Sequence, residues 1–384
     1  MKRIHYSNLL ILVGTLLVLT ITMYPMIQFT VSGGIKSPNY GALPRTASYP
    51  YYQYTIGETG RPGTDNAHFW RPCGIAVNAT GHVYITDYTN HRVQVFDNAG
   101  TYQYSIGGGG SGSDNTHFHG PCGVAVNTTG YVYVADYWNY RVQVFDNAGN
   151  WNYTIGETGV GGTDSAHFNK TNGVAVSAAG YVYVVDEYNH RVQVFNNSGH
   201  YQYTIGETGV AGTDNNHFTW PTGVAVDSIG RVYVADPANN RVQVFDNAGI
   251  YQATLGGSEC ENNCLAYPSS IAIDATGNIY VANTNDHTIK VFDNARTYNY
   301  TIGERGVSGN DSSHFNLPSA VAVNTTGHVY VGDDYNYRVQ VFMISETAPT
   351  QPSGIPGFPV TVLLIAAGFV TFYLMRQAKR TVHT

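Results

Sequence analysis

Three sets of side chains in this chain have the chemistry for catalysis or metal binding, and each set is repeated. Histidines close a short Asp-x-x-His-Phe motif at His68, His117, His167, His217 and His314. Aspartates end a Val/Tyr-rich run at Asp87, Asp136, Asp186, Asp236 and Asp333, and arginines open the run RVQVF at Arg92, Arg141, Arg191, Arg241 and Arg338. Imidazoles in a ring suit transition metals, and carboxylates suit acid–base work. A catalytic group is needed once, however, whereas a group present in nearly every repeat serves the fold. The Asp and Arg are therefore expected to tie strand ends together through charge-assisted hydrogen bonds. The histidines, each followed by Phe, are expected to lock a loop. No catalytic residue and no metal ligand is assigned.

The elements that position these groups follow from the period. Arg92, Arg141, Arg191, Arg241, Thr288 and Arg338 open six copies of one run, at spacings of 49, 50, 50, 47 and 50 residues. A period in this range signals a solenoid, a propeller or an array. Each unit holds four short runs, such as YQYSIG, GVAVN, YVYVAD and RVQVF, rich in Val, Ile and Tyr and alternating with period two. No useful helical stripe lies between Tyr52 and Phe342. The expected fold is all-β, a six-bladed β-propeller whose blades bury their faces on one another. The first YQYTIG-type run, Tyr52 to Gly57, precedes the first full unit, and the last unit lacks one. Tyr52–Gly57 is thus expected to complete the sixth blade and remove an open edge. Repeat alignment then puts Cys73, Cys122, Asn172, Thr222, Ser269 and Ser319 at the mouth of a central channel. That ring is small and polar, without carboxylate or His. Asp227 and Asp274, ending inner strands at the opposite mouth, are the remaining argument for an enzyme. A calcium site from loop aspartates such as Asp65 or Asp164 lacks an EF-hand-like spacing, so no cofactor is expected.

The string GYVYVADYWNYRVQVFDNAG, Gly130 to Gly149, closely resembles the NHL repeat, and the likeness recurs over roughly three quarters of the chain. The resemblance implies a six-bladed propeller. It leaves activity open, because NHL-like propellers include partner-binding, RNA-binding and extracellular sensor domains and a few metal-dependent enzymes.

The chain ends point to a membrane. Lys2, Arg3 and His5 precede an apolar stretch from Leu9 to about Met23, the pattern of a secretory signal or an uncleaved anchor. Ile355 to Met375 gives 21 mostly apolar residues without a charge, enough to cross a bilayer, and Arg376, Lys379 and Arg380 place the tail inside. The stretch PSGIPGFPV resembles the Pro-Gly-Phe tails of prokaryotic, especially archaeal, surface proteins, which can act as sorting signals. The expected organisation is 1–33 signal peptide or anchor, 34–51 linker, 52–344 propeller, 345–354 linker, 355–375 transmembrane helix and 376–384 cytoplasmic tail. The propeller carries 25 acidic against 12 basic residues, a net charge of −13. Such a domain repels phosphate backbones, so no nucleic-acid partner is expected. Eight N-x-S/T sequons, at Asn78, Asn127, Asn152, Asn169, Asn196, Asn299, Asn310 and Asn324, fit either glycosylation or turn chemistry.

Positions that break the sixfold pattern carry the functional reading. The second unit has GGGGSGSD where most others have GETG…GTD. The fifth has a shorter crossing loop, Asn283 for Asp and Thr288 for Arg. Between the second and third strands the units differ, with Tyr88, Tyr137, Trp138, Tyr188 and Tyr335 on loops where aromatics act as binding anchors. The abundance of Tyr, 31 in the chain, offers an equally good account of them. Strand directions put these loops on one face, the top, and both ends of the propeller on the other. The reading is a membrane-tethered extracytoplasmic propeller that binds a protein or surface glycan through its top face. The alternatives are a metal-dependent lyase or hydrolase with its site in the channel, and a structural surface-layer element.

The four cysteines divide. Cys73 and Cys122 occupy one position in adjacent units and read as two buried thiols, with a bridge left open by converging inner strands. Cys260 and Cys264 share one loop and read as a local disulfide in an exported chain. Peptide mapping without reduction is expected to recover the 260–264 loop as a linked pair; free thiols at both positions in protein from the native envelope would end that assignment.

Overall fold

The computed structural model describes residues 49–257 and 263–345. Twenty-four strands form six four-stranded antiparallel sheets. β1 is Tyr49–Ile56; the first blade is β2 (Pro72–Val77), β3 (Val83–Asp87), β4 (Arg92–Phe96) and β5 (Tyr102–Gly107). The pattern repeats in fours to β22 (Pro318–Val323), β23 (His328–Asp333) and β24 (Arg338–Ser345). The last sheet runs β1-β24-β23-β22. The N-terminal strand therefore supplies the outer strand of the sixth blade, as expected, with Tyr52 opposite Phe342 and Ile56 opposite Val339. It begins three residues earlier than the alternation suggested, because Tyr49–Tyr51 pair with Met343–Ser345 beyond the repeat. The anchor and transmembrane segments expected near the two chain ends lie outside the described residues.

The two middle strands of each of the first five blades are buried along their whole length, which explains their apolar runs. Alternation sends side chains to the two neighbouring blades. Val83 and Ile85 pack with Ala320, Val339 and Val341 of the sixth blade, while Tyr84, Val93 and Val95 pack with Val124, Val132 and Val134 of the second. Six such clusters each span one blade interface and close into a ring, with Ile56 of β1 inside the last.

The repeated polar groups hold each blade to the loop that enters it. Five fully buried aspartates receive the adjacent Arg Nε at 2.8–2.9 Å. Their other oxygen accepts the N–H of Trp70, His119, Asn169, Thr219 or Asn316 at 2.6–2.8 Å. The guanidinium reaches onward: in the second blade Arg141 donates to the carbonyls of Ser113, Asp114 and His117, and Gln143 also donates to that of His117. The fold role expected for Asp and Arg is the one observed. The fifth blade replaces both charges together: Asn283 accepts the N–H of Ala266 at 2.6 Å, and Thr288 stands where the Arg would be.

A buried carboxylate without its partner is costly, whereas a neutral pair is not. Arg191→Thr alone is expected to destabilise the protein by ~3–5 kcal/mol. Adding Asp186→Asn, which recreates the fifth-blade pair, is expected to recover part of that loss in chemical denaturation. A double variant no more stable than the single one would contradict this role.

Candidate functional site

The six inner strands converge on a narrow channel of about 80 Å³, lined among others by Cys73, Asn172, Thr222 and Ser269. The small polar ring read from the repeats is mostly an inter-blade stitch. Thr222 Oγ1 donates to the carbonyl of Ser269, Ser269 Oγ to that of Ser319, and Ser319 Oγ to that of Pro72, at 3.0–3.1 Å. Cys73 Sγ and Cys122 Sγ touch at 3.3 Å, and neither is bonded. Cys264 is disulfide-bonded, while Cys260 lies outside the described residues.

Above this ring the mouth is charged, which the sequence alignment of its six small residues did not indicate. In each blade a 3₁₀ turn follows the second strand, opening at Tyr88, Tyr137, Glu187, Pro237, Thr284 and Asp334, and three of these residues reach the ring or the residue flanking it. Glu187 Oε2 accepts Asn172 Nδ2 at 2.9 Å, and Thr284 Oγ1 meets Ser269 Oγ at 2.7 Å. Asp334 is buried and takes Arg71 at 3.4 Å through one oxygen, while its other oxygen has no partner. Burial pushes both carboxyls up; Asn172 works against it at Glu187 and Arg71 at Asp334.

A second ring, just before the inner strands, escaped the sequence reading. Arg71, Gly120, Lys170, Trp220, Tyr267 and Leu317 all adopt left-handed backbone, φ between 51° and 70°. That conformation is rare for bulky residues and marks positions held by their surroundings. Lys170 is buried, its Nζ 3.2 Å from the centre of the Trp138 ring and 4.8–5.2 Å from those of Tyr140 and Tyr137. Arg71 lies over Tyr88 at 5.2 Å. Trp138 Nε1 donates to Tyr88 Oη at 2.7 Å, and Tyr88 and Tyr137 meet edge to face.

The structure thus joins three of the five loop aromatics, Tyr88, Tyr137 and Trp138, into one cluster capped by two cations. Tyr188 is 50 % exposed. Tyr335, 56 % exposed, stands on the sixth blade, next to the Asp334 that takes Arg71. Trp70, Trp220 and Tyr267 extend the exposed aromatic rim at 43–50 %. The signal for them was present: the two residues before each inner strand read WR, HG, NK, TW, AY and NL, variable where their flanks repeat.

Other candidates are spent on structure. Each of His68, His167, His217 and His314 is clamped between an Asp on Nδ1 and the Glu of GETG (GERG for His314) on Nε2, at 2.5–3.3 Å. These carboxylates raise the imidazole pKa, with the Asp bond first. Because they engage opposite ring nitrogens they cannot converge on one cation, and Asp65 and Asp164 are committed here. His117 lacks the Glu, and the glycines that replace it line a cleft of about 520 Å³ beside the first blade. Asp227 and Asp274 cap hairpin turns, holding Arg231 at 2.6 Å and Asn278 at 2.9 Å, so they form no acid–base pair. Asn78, Asn127 and Asn324 do the same in their blades. Among the described residues no group of three or more His, Cys, Asp or Glu converges to hold a metal.

The NHL repeat profile matches six times, at residues 69–96, 118–145, 168–195, 218–245, 265–292 and 315–342, one match per blade. This is an NHL-repeat protein. Protein brain tumor of Drosophila melanogaster is 38% identical over 48 residues, 12% of this chain and 5% of its own. A probable peptidyl-alpha-hydroxyglycine alpha-amidating lyase of Caenorhabditis elegans, pgal-1, is 40% identical over 53 residues, 14% and 15% of the two chains. The chain thus spans only a small part of either relative. A solved Bacteroides thetaiotaomicron protein of unknown function shares the fold at TM-score 0.62 and 18% identity, over 78% of this chain and 76% of the other.

In this NHL propeller Gly120 is the only member of its left-handed ring without a side chain. A Cβ there would stand 2.8 Å from Trp138 and 2.9 Å from Tyr88. Gly120→Ala is therefore expected to separate the Trp138–Tyr88 pair and to destabilise the protein by ~1–2 kcal/mol. The Trp138 indole N–H resonance reports it; an unshifted signal with an unchanged melting point would refute this role for Gly120.

Proposed function

We propose that this NHL propeller is a binding module, tethered to the outer face of a cell membrane, that takes a protein or surface-glycan partner on its top face. The observation that carries this reading is the rim of exposed aromatics, Trp70, Trp138, Tyr188, Trp220, Tyr267 and Tyr335, at positions where otherwise near-identical blades differ. Amphipathic aromatics give contact area at low entropy cost. A cleft between the first two blades at the opposite end, about 360 Å³, is lined by turn residues such as Asn78, Thr80, Asn127 and Thr129, a pattern that returns at Asn324 and Thr326 of the sixth blade. The register supports the orientation: Ser345, at the end of β24, pairs with Tyr49, so both ends leave the propeller on the side away from the rim. The acidic propeller argues against a nucleic-acid partner.

A second reading, a lyase or hydrolase with metal in the channel, draws on the half-buried carboxyl of Glu187 and the buried one of Asp334 near the mouth and on the stretch shared with pgal-1. One tightly held stoichiometric ion in the purified protein would favour it.

Binding of the labelled protein to the native cell envelope tests the first reading. Trp220→Ala, whose ring meets only the His190 ring among the described residues, is expected to weaken saturable binding by ~2 kcal/mol with little change in melting point. Changes at Asn98 and Asn147, in the opposite-face turns, are expected to leave binding intact. The reverse pattern would put the partner on the membrane side.

A further inference from the structure

The channel-mouth position is filled differently around the ring. In the fourth, fifth and sixth blades a hydroxyl reaches across to the next blade's backbone, Thr222 to Ser269, Ser269 to Ser319 and Ser319 to Pro72. Between the first and second blades there is instead a pair of thiols, Cys73 and Cys122, with sulfurs 3.3 Å apart. Thr86 of the first blade also holds the Cys122 carbonyl at 2.7 Å. The main chains meet so closely here that a Cβ on Gly74 would fall 2.2 Å from that carbonyl oxygen. This approach answers the spacing that face-packed sheets would otherwise impose: the two inner strands converge at this point, and only a small sulfur movement separates contact from the ~2.05 Å of a bond.

We propose that Cys73 and Cys122 are an oxidation site, a dithiol that closes into a disulfide joining the first two blades at the channel mouth. The oxidant is a small-molecule disulfide of the glutathione type. Cys73, part-exposed and lining the channel, attacks one of its sulfurs as thiolate and releases the first thiol. Cys122, buried beside it, then attacks Cys73 Sγ and releases the second. The two protein thiols lose two electrons and two protons, and the reagent disulfide takes them up as two thiols. The hydrogen bond shared with Cys73, and then burial, raise the Cys122 thiol; its proton passes to solvent as the mixed disulfide is resolved. The disulfide at Cys264 shows that the chain carries oxidised sulfur elsewhere.

The test uses the full-length protein equilibrated with excess oxidised or reduced glutathione, acid-quenched, unfolded and alkylated. Oxidised samples are expected to show two fewer alkylated cysteines than samples reduced under conditions that spare the 264 bond. Unreduced digests are expected to contain the 73 and 122 peptides linked, and the oxidised form to melt higher. Cys73→Ser and Cys122→Ser are expected to fold, since Ser269 and Ser319 fill the same position, and each is expected to abolish the link. Should either variant fail to fold, the wild-type thiol count still decides. Full alkylation at both positions after oxidation would overturn the proposal. So would Cys73 halted as a mixed disulfide with glutathione, or either cysteine bonded elsewhere.

Discussion

The propeller depends on the buried Asp–Arg clamp. A strand-rich repeat can stack only if the loop crossing from one blade to the next lies flat along the inner edge, and that loop has many backbone groups to satisfy. One carboxylate takes a loop N–H with one oxygen and steadies a guanidinium with the other. The guanidinium then spreads over several loop carbonyls, as Arg141 does over Ser113, Asp114 and His117. Neither charge would be tolerable alone in that setting. The fifth blade, where both are lost together, shows that the chain treats them as one unit. Outside the clamp, the Glu–His–Asp bridges add a second fastening, exposed and worth less.

Once every blade is held this way, residues outside the clamp and the core are free to differ, and they differ most at one end. The top rim carries two rings of variable residues, one on the 3₁₀ turns and one just before the inner strands. Where they meet, over the second blade, the glycine at position 120 makes room for Tyr88 and Trp138 to bond, and Lys170 covers their neighbours. The same framework elsewhere presents Glu187 beside Asn172 and Asp334 beside Arg71. A uniform scaffold with a non-uniform rim suits recognition.

The fold was legible because it is written six times: period-two alternation, VYVAD ending in a buried acid, and RVQVF opening with its partner. The closing strand was legible because one run was left over at the start of the count and one was missing at its end. The site was only half legible. Loop aromatics were visible as departures from the repeat, but their relations were not. Trp138 reads as a free anchor in sequence, whereas its indole N–H is committed to Tyr88 and its face to Lys170. Trp220 and Tyr267 were overlooked because nothing in a sequence marks a left-handed backbone at a bulky residue. Glu187 and Asp334 lie between two strand runs in the sequence, and their contacts with Asn172 and Arg71 depend on the 3₁₀ turn rather than on spacing.

The pairing of Ile56 with Val339 has a kinetic meaning. The outer strand of the last blade is the first to be synthesised, and it waits for a partner from the other end of the propeller. Until that partner arrives, the growing chain can assemble only an arc of blades with an apolar face open at each end. Joining the ends is the most non-local strand pairing among the described residues, and contacts of that kind slow folding most. The ring therefore closes last, after the final strand is available, and the open arc is the state in which the protein is most exposed to aggregation and proteolysis.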